Sequence, residues 1–126
     1  MKNLRQGLKE GIVIQNSRIP QMLSWVIDIG AITLYPFIIF RGTAEERVIN
    51  HERIHIAQQK ELLVIPFYIL YGWFWLVNRI LHKDSGPQAY YNIPFEVEAY
   101  HNDSDFTYVE SRPRNAWKEY FIARNN

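Results

Sequence analysis

His51-Glu52-Arg53-Ile54-His55 places two imidazoles four residues apart, with a carboxylate directly after the first. On an α-helix, residues i and i+4 lie one turn apart on the same face, so both rings converge on one tetrahedral cation. Glu52 then stands beside a water in the open position of that cation, where it can act as a general base. The donor set points to Zn²⁺ and the chemistry to hydrolysis. Such a site takes three side-chain ligands and leaves the fourth position to water, so a third ligand must come from elsewhere in the chain.

One way of supplying it is ruled out. The metzincin extension would need Gly at position 58 and His at position 61, where Gln58 and Glu61 stand. The better source is Asn92-Ile93-Pro94-Phe95-Glu96-Val97-Glu98-Ala99-Tyr100. Proline is tolerated only in the first helical turn, which predicts a helix starting at residue 93 or 94 and running to about Asp105. At 100° per residue, Glu96 and Glu98 point to nearly opposite sides, so only one can face the cation. Glu98 shares its side with His101, Asn102 and Asp105, a solvent-like set, whereas Glu96 stacks with Ala99, Tyr100 and Asp103. Glu96 is the expected ligand and Glu98 the alternative.

His51-Glu52-x-x-His55 followed by a helix reading Phe95-Glu96-x-x-Ala99 resembles the gluzincin zinc metallopeptidases, particularly the compact single-domain ones. Residues 43–105, with a Gln-Gln pair and an FExEAY-like segment, also resemble a group of small bacterial HExxH proteins. The resemblance implies a minigluzincin-like α+β fold and zinc held by His51, His55 and Glu96. It implies Glu52 as catalytic base and a peptide or protein as substrate. Tyr100 departs from the pattern, standing where many gluzincins place an Asp that orients a zinc-bound His. That partner must then be Asp103, Asn50 or a main-chain carbonyl. Donors to the developing oxyanion are sought among Tyr90, Tyr91, Tyr100 and His101. Gln58 and Gln59, near the motif face, read as surface residues. The alternative is a non-catalytic zinc-binding or membrane-associated domain that retains the site. Glu52 argues for the enzyme, because a structural zinc site closes with a fourth protein ligand and has no use for a base.

The motif needs regular helix under it. Thr43-Ala44-Glu45-Glu46 fits a capping box and predicts a helix start near Ala44, with no Gly or Pro from there to Pro66. Upstream, residues 12–14, 25–29 and 32–40 are β-branched and aromatic runs, expected as short strands of a small antiparallel sheet. Pro36 within the third run argues for an edge strand, to which an extended substrate could pair. Downstream, residues 62–77 carry no charge. As one helix they extend about 24 Å, short of the ~30 Å hydrocarbon core, so they are expected as a buried or partner-covered helix, with membrane insertion as the alternative. Residues 83–87 read as a loop, and 114–124 as an amphipathic helix with Trp117, Tyr120 and Phe121 inward.

With 126 residues and 48% hydrophobic content, one domain is expected, strand-rich over residues 1–42 and helical over 43–126. A net charge of +1 gives no electrostatic footprint for nucleic acid. Arg112, Arg114, Lys118 and Arg124 interleave with Glu110 and Glu119, as on a solvated helix face. The absence of cysteine removes thiol chemistry. The first ten residues are charged without a following apolar block, so no Sec export is expected and the expected location is cytoplasmic, with membrane association through residues 62–77 as the alternative.

Overall fold

A computed structural model describes residues 11–17, 31–40 and 42–125. The expected strand at 25–29 and the polar lead-in lie outside these residues. Proline cannot donate to a ladder, and the 32–40 run accordingly breaks at Tyr35-Pro36 into a hairpin of β2 (Ala31–Leu34) and β3 (Phe37–Phe40). Pro36 sits in the turn instead of on an edge strand, its carbonyl accepting from Ile12 N at 2.5 Å. That bond starts β1 (Ile12–Ile14), which pairs parallel to β3. The sheet is therefore mixed, in the order β1-β3-β2, and not wholly antiparallel as expected. Gly11 is required at φ 92°, since a Cβ there would meet Ile38 Cδ1 at 2.8 Å.

The motif helix, α1, spans Glu46–Leu62. The Thr43 capping box does not form. The Ala44 amide is bound instead by Gln15 Oε1 at 2.9 Å, and α1 starts behind Glu45 without a side-chain cap. Leu63, at φ 68°, ends α1, and α2 (Val64–Ile80) leaves at an angle of 110°. The break is where Pro66 demands it. Restarting at Val64 puts the proline in a first turn, whose amides have no helical partner anyway, and the first bond of α2 is Phe67 N to Leu63 O.

Four short helices follow. Ser85 and Gln88 form a capping box that starts α3 (Gly86–Tyr91) inside the expected loop. Pro94 opens α4 (Pro94–Asn102) as expected. After these come α5 (Tyr108–Ser111) and α6 (Trp117–Asn125). In α6, Trp117 is buried and Tyr120 partly so, while Phe121 is 39% exposed and lies against Phe74.

The fold is α+β, with α1 at its centre. Ile56 of α1 packs with Ile38 and Phe40 on the sheet side. On the other side, Phe67, Ile93, Phe95 and Trp117 form a second core cluster between α2, α4 and α6. Glu96 follows directly after Phe95, so burial of that ring turns the carboxylate toward α1. Among the described residues, no single helix is long and apolar enough to cross a membrane.

Candidate metal centre

Regular helix from Glu46 onward puts His51 and His55 on one face of α1, with ring centroids 4.9 Å apart. Glu96, in the first turn of α4, points between them. Its Oε1 lies 3.0 Å from His51 Nε2 and 3.1 Å from His55 Nε2. These three ligand atoms all fall within 4.8 Å of one another, and all three side chains are buried. The group could hold a metal ion.

Both imidazoles are oriented from behind. His51 Nδ1 meets Asp103 Oδ2 at 3.1 Å, and the same carboxylate oxygen accepts from Arg47 Nη1 at 3.2 Å. Asn50 Nδ2 donates to the main-chain carbonyls of Asp103 and Asp105 and fixes that turn. Asp103 thus fills the place left by Tyr100, whose ring packs edge-on against His51 at 4.3 Å. His55 Nδ1 lies 2.8 Å from Gln58 Oε1. Gln58 Nε2 donates to Phe95 O and to Glu98 Oε1, each at 3.0 Å. A flipped amide would set oxygen against two acceptors, so Gln58 presents an acceptor to His55. With both Nδ1 atoms engaged, both Nε2 atoms face Glu96 Oε1.

Glu98 is neither solvent-facing nor a ligand. Arg112 forks onto it, Nε to Oε2 at 2.5 Å and Nη2 to Oε1 at 3.1 Å, and Tyr108 donates to Oε2 at 2.8 Å. Arg112 also pairs with Glu61 at 2.9 Å, so it belongs to the interior and not to a solvated face. Arg124 likewise pairs with Asp84 at 2.7 Å. Gln58 and Gln59 are buried as well, contrary to the sequence reading. Gln59 accepts from Tyr35 N at 2.7 Å and donates to Thr33 O at 2.8 Å, closing the β2 edge where a substrate strand was expected to pair.

Tyr71 and Tyr68 were not singled out in the sequence. Tyr71 donates to Glu96 Oε2 at 2.6 Å, leaving Oε1 as the free ligand atom, and Tyr68 donates to Thr33 O. Their signal was two phenols three residues apart on one face of an apolar run. His101, by contrast, is exposed and lies against Tyr120, away from the cluster.

Glu52 is half-buried, its Oε2 accepting from Thr33 Oγ1 at 2.5 Å. It lines a cleft of about 180 Å³ together with Arg47, Val48, His51, Tyr90, Tyr100 and Asp103. Tyr90 and Tyr100 share a hydroxyl hydrogen bond of 3.2 Å at this cleft. Tyr91, beside Tyr100, is exposed.

Electrostatics follow from this crowding. Burial alone would push the His55 imidazole down, but the Glu96 carboxylate beside it, aided by Glu52, carries it up to about 10 from an ordinary 6.5. Burial pushes Glu96 up, and it is overcome by His55, His51 and Tyr71, which hold its carboxyl well below the usual range. Burial and the Glu52 charge raise Tyr68 to about 12, and burial and Glu96 raise Tyr71 further. Without a cation the centre is an imidazolium–carboxylate pair, and a metal ion replaces that proton.

No family model matches the chain, and no curated protein or solved structure is significantly similar to it.

Proposed function

We propose that this protein is a zinc-dependent metallopeptidase. The observation that carries the reading is the convergence of His51 Nε2, His55 Nε2 and Glu96 Oε1, with Glu52 beside them at the mouth of a cleft. Two neutral imidazoles and one carboxylate oxygen suit zinc, whereas Mg²⁺ and Ca²⁺ prefer all-oxygen shells. Bound zinc would supply Lewis acidity, bringing the pKa of a water in its open position to about 7 and polarising a carbonyl.

The chain's own groups do the rest. Glu52 accepts the proton of the attacking water and returns it to the leaving amine. The Thr33 hydroxyl holds Oε2 of Glu52 and leaves Oε1 for that transfer. Tyr71 holds the second oxygen of Glu96, while Asp103 and Gln58 keep both imidazoles in the Nδ1–H tautomer. Arg47, Tyr90 and Tyr100 offer hydrogen bonds to a substrate backbone in the cleft. The filled β2 edge at Thr33 and Tyr35 favours a second reading, a zinc-binding domain without peptidase activity.

Metal analysis and peptide cleavage separate the readings. The purified protein should carry about one zinc per chain, and His51→Ala, His55→Ala and Glu96→Ala should each lose it. Glu52→Gln should keep zinc and lose at least about 100-fold in cleavage of a peptide library. A protein that takes up no zinc on titration overturns both readings. Equal background cleavage by wild type and Glu52→Gln leaves the binding domain alone.

A further inference from the structure

The outer face of α2 is apolar and, among the described residues, uncovered. Ile65, Ile69, Trp73, Leu76 and Ile80 recur at three- and four-residue spacing and are between 44 and 73% exposed, and Leu63 and Leu81 extend the stripe at both ends. Over 17 residues this makes a strip about 25 Å long, larger than a lone protein ordinarily leaves in water.

The charges around the strip identify its partner. Between residues 60 and 85, the exposed charged side chains are Lys60 at one end and Arg79 and Lys83 at the other, all basic. The two acids of the same stretch are turned inward and paired, Glu61 with Arg112 and Asp84 with Arg124. An apolar strip whose own stretch of chain exposes cations at both ends and no acid complements an anionic lipid surface. A second copy packed on it would bring like charges together in either helix orientation, with no rim acid of this stretch to meet them. The indole of Trp75, against which Arg79 stacks at the flank of the strip, suits the headgroup level. By itself α2 is shorter than the ~30 Å hydrocarbon core, and its inner face is spent on the protein, through Phe67 in the core and Tyr71 on Glu96, which suits lying on a bilayer rather than crossing it.

We propose that α2 docks the protein flat on an anionic bilayer, with residues 65, 69, 73, 76 and 80 in the lipid and Lys60, Arg79 and Lys83 at the headgroups. The candidate metal centre then sits behind one helix thickness, about 10 Å, from the membrane. The inference stands apart from the peptidase reading and holds whether or not zinc is bound.

Sedimentation of the full chain with vesicles tests it. Vesicles of phosphatidylcholine with phosphatidylglycerol should bind the protein, and those of phosphatidylcholine alone should bind it at least about 10-fold less, the difference shrinking in high salt. A basic side chain near such a surface strengthens binding roughly fivefold, so Lys60→Gln with Lys83→Gln should weaken it about 25-fold. Ile69→Glu and Trp73→Glu, at exposed sites, should abolish binding with an unchanged circular dichroism spectrum. Absence of binding to anionic vesicles overturns the proposal. So does a concentration-dependent dimer in light scattering that Ile69→Glu dissolves, which would give the face to a second copy. Should the glutamate variants unfold, the lysine pair decides alone: unchanged binding in it overturns the proposal.

Discussion

Around α1 and α4 the interior is crowded with polar groups, whereas the outer face of α2 sets isoleucine and tryptophan in water. Both departures run against the usual partition of side chains. They differ in how they are compensated. Inside, each member of the centre has a partner on the chain, His51 on Asp103, His55 on Gln58 and Glu96 on Tyr71, and nearby Glu98 is held by Arg112. Outside, the stripe of α2 has no partner on the described chain. A buried polar centre whose ligand side chains are each held by a partner points to chemistry within the molecule, and an apolar surface left open points to a partner beyond it.

The largest predicted effect comes from unbalancing the interior. Arg112→Ala leaves Glu98 and Glu61 buried without their cation. Breaking a buried pair from one side costs about 3–5 kcal/mol, which in a domain of this size lowers Tm by on the order of 10–20 °C in a thermal melt. Replacing both partners of the deepest pair, as in Arg112→Met with Glu98→Met, should recover the part of that loss that belongs to Glu98, the remaining Glu61 carboxylate still being held by Asn115 N. If the double variant is no better than the single, the pairing account of the interior fails.

Next in size is the hydrogen bond behind His55. Gln58→Leu removes the acceptor of Nδ1–H and leaves the three ligand atoms untouched, so metal affinity should fall about 10- to 100-fold in a competition titration. Equal affinity in wild type and Gln58→Leu would reduce Gln58 to a packing residue.

How far these groups could be read from the chain depended on whether one helix sufficed to place them. His51 and His55 were legible because i, i+4 spacing fixes their relation within α1, and Glu96 because Pro94 sets the start of α4. Glu98 was misjudged because its helical side is covered by Arg112 and Tyr108 from beyond α4, a tertiary event that periodicity cannot report. The Thr43 cap failed for a similar reason, since Gln15, just past the end of β1, reached the Ala44 amide. In α2 the difficulty was different. A run apolar on all sides carries no polar stripe to show which face turns outward, so only the packing of Phe67 and Tyr71 reveals it.

Proton exchange gives a smaller, pH-dependent test. His55 rises from 6.5 to about 10 in the folded metal-free protein, so its contribution to stability is fully present below 6.5 and is lost as pH climbs through about 10. Glu96 is held low, so its contribution is present above its ordinary 4.5 and is lost as pH falls through the lowered value. A metal ion must displace the His55 proton, so below about pH 7, where a zinc-bound water keeps its own protons, uptake should release about one proton from His55 and tighten about tenfold per pH unit, or about 1.4 kcal/mol. Calorimetry in buffers of different ionisation enthalpy measures the release. A pH-independent affinity over that range would mean that His55 is already neutral in the metal-free protein.

The smallest effect belongs to the outer face of α2, and it makes the contrast between interior and exterior quantitative. Ile69→Ser and Ile80→Ser exchange side chains that already stand in water, so the folded and unfolded chains lose nearly the same hydration term. Stability in urea should stay within about 0.5 kcal/mol of wild type. On the inner face of the same helix, Phe67→Ala empties a fully packed site and should cost about 3–5 kcal/mol. A loss from Ile69→Ser comparable to that from Phe67→Ala would mean that the stripe is already covered by another part of the molecule, and the two regions would cease to differ.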